Sequence, residues 1–187
     1  MKKILLVVIM GLLAGTVAFA DHAQDSLGLG AVFGVGMGWD GVIVPDFYPA
    51  NLSLKIPNVP LFWGISVKPF RYLGIGITGD YYFFEPNLVA KTATNDDGSY
   101  NVKIDWYVGA GFYVNMYTGN DYFGGDGGFR MPFGVSWHAL QDIKKLEVSV
   151  GSVGGLGIGG HQTGDLQDGP YLHWFFIPVE IAVRWWF

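Results

Sequence analysis

The feature that most restricts this fold is a two-residue alternation of apolar with small or polar side chains, sustained past ten residues and repeated along the chain. From Leu27 the odd positions are Leu27, Leu29, Ala31, Phe33, Val35, Met37 and Trp39, and five of the six even positions between them are glycine. From Val102 the even positions are Val102, Ile104, Trp106, Val108, Ala110, Phe112, Val114 and Met116, alternating with Lys103, Asp105, Tyr107, Gly109, Gly111, Tyr113 and Asn115. The last segment sets Phe175, Ile177, Val179, Ile181, Val183, Trp185 and Phe187 on one face. A period of two sends neighbouring side chains to opposite faces of a strand. Globular strands usually run about 5–6 residues, whereas a tilted strand crossing a bilayer needs about 9–11. Beyond Asp21 no stretch approaches the roughly 18 apolar residues of a membrane helix.

Composition turns the pattern into an architecture. Half of the residues are hydrophobic and only 14% are charged. One small core cannot bury that much apolar surface, and strands cross lipid only in closed barrels, where no edge is left unpaired. A secreted β-sandwich would also alternate, but with shorter strands and turn signals every ~8–12 residues. The expected fold is all-β, a single eight-stranded antiparallel transmembrane β-barrel with a narrow, side-chain-filled lumen. Strands are expected over 26–39, 50–57, 60–68, 72–84, 102–116, 128–138, 146–158 and 173–187. Irregular connections are expected at 40–49, 85–101, 117–127, 139–145 and 159–172, where Gly, Asp, Asn and Thr concentrate.

The first 20 residues have the pattern of a cleaved signal peptide. Lys2 and Lys3 precede an apolar run from Ile4 to Leu13, and Ala18-Phe19-Ala20 supplies the small-x-small cleavage site before Asp21. The mature domain is then 21–187, exported, with nine basic residues against sixteen acidic ones. That balance argues against nucleic acid as a partner. The absence of cysteine removes disulfides, thiol catalysis and thiolate metal sites.

Taking the less apolar parity of each strand as inward gathers Lys55, Lys68, Asp80, Lys103, Asp105, Arg130, Glu147, Glu180 and Arg184 into one lumenal charge network. A charge on the lipid face costs about 2–4 kcal/mol at the midplane, so this segregation agrees with the facing. Five cations against four anions can satisfy one another, which predicts a plug rather than a conducting pore. Fifteen glycines, among them Gly28, Gly30, Gly109, Gly134 and Gly157, fall on the same inner parity and make room for large rings. No Gly-x-Gly pair is followed by the Lys-Ser/Thr of a phosphate loop.

Trp39, Trp63, Tyr81, Trp106, Trp137 and Trp185 sit outward near strand ends, as an aromatic girdle would. The terminal Trp185-Trp186-Phe187, behind alternating apolar residues, resembles the C-terminal signature of bacterial outer-membrane β-barrels. Size and pattern are similar to small eight-stranded barrels of the OmpA, OmpX and OmpW kind. The resemblance implies location in the bacterial outer membrane and recognition of Phe187 by the barrel assembly machinery. It also implies a monomer among membrane lipids, with host or envelope ligands meeting the loops.

Three candidate sites follow. Ser136-Trp137-His138 with Glu147 resembles, in reversed order, the His-x-Ser and Glu set of lipid A deacylase barrels. All three polar residues are expected to face the lumen, away from acyl chains, so no catalytic residue is expected. His161, Asp165, Asp168 and His173, or Asn95 to Gly98, carry ligand-type atoms but are expected to be solvated loops, with no metal or cofactor. Phe62, Tyr82, Phe84, Tyr113, Phe176 and Trp186 could line a hydrophobic pocket of the kind that OmpW-like barrels use for uptake. Pro132 or Pro178 would then break the wall as a lateral door. The expected role is non-enzymatic: a plugged barrel in structural support or surface interaction.

Overall fold

The computed structural model describes residues 26–39, 43–69, 73–84, 87–95, 98–138, 146–163, 166–167 and 169–187. At 39, 43–50, 68–69, 83–84, 87–95, 98–103, 163 and 166–167 the backbone alone is described. The signal segment lies outside the described residues.

Ten strands follow one another: β1 (Gly28–Trp39), β2 (Ile43–Lys55), β3 (Phe62–Pro69), β4 (Leu73–Phe84), β5 (Asn87–Asn95), β6 (Gly98–Gly119), β7 (Tyr122–His138), β8 (Leu146–Thr163), β9 (Leu166–Gln167) and β10 (Tyr171–Trp186). Eight of them pair antiparallel in the order β10-β1-β2-β3-β4-β6-β7-β8, and β8 pairs back onto β10. The sheet is therefore a closed eight-stranded antiparallel barrel. The remaining two lengthen hairpins, β5 against the start of β6 and β9 against the end of β8. The segments at the start of β1 and the end of β10 meet at one rim, where the Phe187 amide donates to the Leu27 carbonyl at 2.8 Å.

Several expected loops are strand instead. The segment 117–127 reduces to a turn at Asn120 and Asp121, because β6 and β7 stay paired down to Gly119↔Tyr122. Asp121 takes a positive φ of 59°, which Asp tolerates. The segment 85–101 is largely the β5–β6 hairpin, and 159–172 is mostly β8, β9 and the start of β10. β2 starts at Ile43 rather than 50, despite Pro45 and Pro49, and pairs with β1 out to Trp39↔Ile43. Proline is tolerated along an edge, and here β2 has no β3 partner beyond Asn51↔Ser66 among the described residues. The chain turns tightly between β2 and β3 at Pro57-Asn58, with Asn58 at φ 61° and the Val59 amide donating to Ile56 O at 3.2 Å.

Facing follows the two-residue period. Leu29, Phe33, Val35, Ile75, Ile77, Val114, Met131, Phe133, Val150, Ile181 and Val183 are exposed on the outside. Asn51, Ser53, Ser66, Thr78, Asp105, Asn115, Arg130, Ser149 and Arg184 are buried on the inside. The ten residue steps from Leu27 to Met37, at ~3.3 Å each and tilted ~40°, give an outward apolar band roughly 25 Å tall, the height of a bilayer-spanning barrel's band.

β10 departs from simple parity, and Phe176 moves with it. In β10 the residues after Pro178 keep even positions inward (Ala182, Arg184), but before it the inward residues are Phe175 and Ile177. Phe176 is 40% exposed on the outer face and lines no lumenal pocket. Proline has no N–H for the ladder. Both flanking ladders skip there: the one with β8 between Ile177↔Val153 and Glu180↔Gly151, the one with β1 between Val35↔Val179 and Met37↔Phe176. The bulge leaves Pro178 and Val179 both outward and flips everything before them.

Candidate functional site

The lumen holds the chemistry, and it is packed. Beside the rim where β1 starts and β10 ends, Arg184 of β10 donates from Nη1 to Glu147 Oε1 of β8 at 2.8 Å. It also donates from Nε to Ser53 Oγ of β2 at 2.9 Å. The second Glu147 oxygen accepts from Trp186 Nε1 at 2.9 Å. The guanidinium lies 5.0 Å from the centre of the Phe62 ring. Phe62 stacks on Tyr82 at 4.5 Å, and Tyr82 stacks on Tyr107 at 4.7 Å. Gly134 and Gly151 face the Tyr107 hydroxyl, where a Cβ would strike it. Small walls thus accommodate large rings inside a barrel of only eight strands.

A second centre joins three strands. Arg130 of β7 lies between Asp80 of β4 (Nε to Oδ1, 3.0 Å) and Glu180 of β10 (Nη2 to Oε2, 3.4 Å). Toward the opposite rim, Tyr113, Val153, Phe175 and Ile177 form an apolar floor. Above it Asn115 Nδ2 donates to Asp126 Oδ1 at 2.7 Å, and His173 Nδ1 lies 3.1 Å from the Tyr113 hydroxyl.

The expected residues divide accordingly. Asp80, Arg130, Glu147, Glu180 and Arg184 meet in the two ion-paired centres. Lys55 is buried but serves the rim, donating to the turn carbonyls Val59 O at 2.6 Å and Ile56 O at 3.2 Å. Asp105 approaches His138, Oδ2 to Nε2 at 3.4 Å. The side chains of Lys68, Lys103, Phe84 and Trp39 lie outside the described residues. Of the aromatic set, Phe62, Tyr82 and Trp186 come together, while Tyr113 belongs to the apolar floor. Trp63, Tyr81, Trp106, Trp137 and Trp185 all fall in the half of the wall nearest the rim where β1 starts and β10 ends, through Trp63↔Gly79, Tyr81↔Ala110, Trp106↔Val135, Trp137↔Val148 and Trp185↔Leu146. The sixth, Trp39, stands at the opposite rim, paired to Trp174 and Ile43, so the set reaches both ends of the wall. Ser53, Asn115 and Asp126 join the interior without being among the expected site residues: Asn115 stands on the inner parity of its strand, and Asp126 falls in an expected loop.

Ser136 is buried, with Oγ 3.5 Å from His138 Nε2. The same nitrogen faces Asp105, and Glu147 is held by Arg184 and Trp186. A serine relay needs the two ring nitrogens of one histidine to face hydroxyl and carboxylate separately, which is not the arrangement here. His161 and His173 are strand residues rather than loop residues. His161 stacks on Tyr122 at 5.6 Å and meets Tyr171 edge-on at 5.9 Å. Asp165, Asp168, Asp96 and Asp97 lie outside the described residues, and among the described residues no three His, Asp or Glu side chains are placed to hold a metal.

Among the described residues a lumenal void of about 20 Å3 is bordered by Asn51, Thr78, Asp80, Arg130 and Glu180. That is room for about one water molecule. Neither proline opens the wall. The β6–β7 ladder skips from Val108↔Phe133 to Gly111↔Arg130 around Pro132 and resumes, and β7–β8 pairing continues through it. Among the described residues the shortest ladder of the wall is that between β2 and β3, with five pairs, Asn51↔Ser66 to Lys55↔Phe62.

Fold and interior together define a closed eight-stranded antiparallel β-barrel whose lumen is filled by ion pairs and stacked rings. Comparison with known proteins finds no matching family model, no matching curated protein and no matching solved structure.

Proposed function

We propose that this chain is a non-conducting β-barrel of the bacterial outer membrane, acting in envelope structure or surface interaction rather than catalysis. The carrying observation is the pairing of an outward apolar band with a lumen that, among the described residues, is filled by ion pairs and stacked rings around a void of about 20 Å3. With the start of β1 and the end of β10 at the periplasmic side, the opposite rim would be extracellular. That rim carries the β1–β2, β3–β4, β6–β7 and β8–β10 connections, the surface for ligands. Fractionation of cells expressing the full chain tests location, with the protein expected in the outer-membrane fraction. Planar-bilayer recording tests the plug: no stable channels are expected, and reproducible conductance would sink it.

A second reading, uptake of small apolar molecules through a lateral opening, has one observation in its favour. β2 runs on from Asn51 to Ile43 with no β3 partner among the described residues. In lipid an unpaired edge costs several kcal/mol per group unless something covers it. Ala50→Cys with Val67→Cys, in a chain that has no other cysteine, would lock this seam by a disulfide. Uptake of an apolar fluorophore that persists under oxidation would refute entry there.

A further inference from the structure

The outer wall carries a crevice that neither closure of the barrel nor the packing of its lumen requires. Turned away from the lumen, β7 sets Phe123 and Gly125 opposite Gln162 and Gly160 of β8, in the register Phe123↔Gln162 and Gly125↔Gly160. Gly169 and Pro170, ahead of β10, close a third side, and Gly124 and His161 complete the lining of a cavity of about 470 Å3. That volume lies within the ~300–1,000 Å3 of small-ligand sites. Both floor residues are glycines, so the floor is bare backbone. Along the same face the wall continues into Ile158, Leu156 and Phe129, exposed by 62%, 59% and 79%.

Gly160 differs in kind from the inward glycines. A Cβ on Gly30, Gly36 or Gly157 would strike backbone of the neighbouring strand, whereas a Cβ on Gly160 meets nothing within 4 Å. Packing does not demand glycine at 160, and a larger β-former there would favour the strand. The space is open on the outside.

We propose that this crevice holds one acyl chain of a membrane lipid, with the lipid's polar end at the exposed Gln162. The proposal rests on the reading of the barrel as membrane-spanning. Width selects the occupant: the floor spans two strands about 4.8 Å apart, which fits a single hydrocarbon chain. A helix about 10 Å across could not reach it. Continuity selects it too, because the crevice opens directly onto the outward apolar band.

The test uses the full chain in mild detergent with a phosphatidylethanolamine that carries a diazirine on its acyl chain. Photolabelling is mapped by peptide for wild type, Gly160→Leu and Gly154→Leu. Gly154 is the control, outward on the same strand, where a Cβ would meet only the Phe176 ring, at 4.0 Å. Heat-modifiable gel mobility confirms that each variant is folded. Label is expected to concentrate on the peptides holding Phe123 and Gly160, to be lost in Gly160→Leu and to persist in Gly154→Leu. Label spread evenly over the apolar band, equal label in Gly160→Leu, or cross-linking of a second copy through this face would each overturn the proposal. If the wild-type chain fails to enter membranes at all, the membrane reading falls, and the proposal with it. If it enters them and the crevice goes unlabelled, only the proposal falls.

Discussion

Replacing Arg130 by methionine is the sharpest probe of the packed lumen. The substitution removes a guanidinium that lies 3.0 Å from Asp80 and 3.4 Å from Glu180, with side-chain exposures of 4%, 8% and 11% for the three groups. The two carboxylates are then left facing each other across a void that holds about one water. Breaking a buried pair by removing one partner costs about 3–5 kcal/mol, because the surviving charge keeps its desolvation without its partner. Here two charges survive, so the upper half of that range is expected. With a urea m-value of about 2–3 kcal/mol/M, the unfolding midpoint should fall by roughly 1.3–2.5 M. The triple variant Arg130→Met, Asp80→Asn, Glu180→Gln removes the orphaned charges and should recover most of the loss. Urea titration in detergent micelles, followed by tryptophan fluorescence and heat-modifiable mobility, measures both variants. An Arg130→Met loss below about 1 kcal/mol, the range of solvent-screened pairs, would refute the reasoning. It would mean that water reaches the centre freely and that the lumen is not plugged.

Three further outcomes are expected. Phe175→Ala should cost about 3–5 kcal/mol by opening a cavity in the apolar floor, while Phe176→Ala, on the outer face, should cost less than about 1 kcal/mol. Equal losses in urea titration would contradict the parity switch at Pro178. Gly134→Val should destabilise by at least about 1–3 kcal/mol, since its Cβ would meet Gly151, the Val150 carbonyl and the Tyr107 hydroxyl. A wild-type midpoint would show that the wall stands further from the rings than described. Ser136→Ala should leave lipid A acylation unchanged in mass spectra of cells expressing it; a difference from wild type would point to hydrolase chemistry at Ser136.

Much of the barrel is legible along the chain because facing in a strand is a local property. The alternation from Leu27 to Trp39 and from Val102 to Met116 placed Asp105, Tyr107 and Tyr113 inward before any partner strand was considered, and they are buried there. Strand ends were less legible. Gly, Asn and Asp between Tyr117 and Gly127 look like loop chemistry, yet Asn115↔Asp126 and Tyr117↔Gly124 continue the ladder. Ladder hydrogen bonds use backbone groups that every residue but proline supplies, so composition marks the turn without bounding it. Phe176 was misplaced for a different reason: a bulge adds one residue to the count, and whether Pro178 makes one depends on β8 and β1.

By itself, then, the sequence determined the strand period, the separation of apolar from charged faces and the excess of glycine on the inner face. All of these follow from the backbone's alternation and need no knowledge of neighbours. Tertiary structure alone decided which strand stands beside which and how far each slides along the next. That choice brings Asp80, Arg130 and Glu180 together from β4, β7 and β10. It also gathers five girdle aromatics into one half of the wall, and it sets Gly125 against Gly160 to open the outer crevice. The physical reason is closure: joining β10 to β1 fixes one register for the whole sheet, and register is a relation between distant segments that no local pattern encodes.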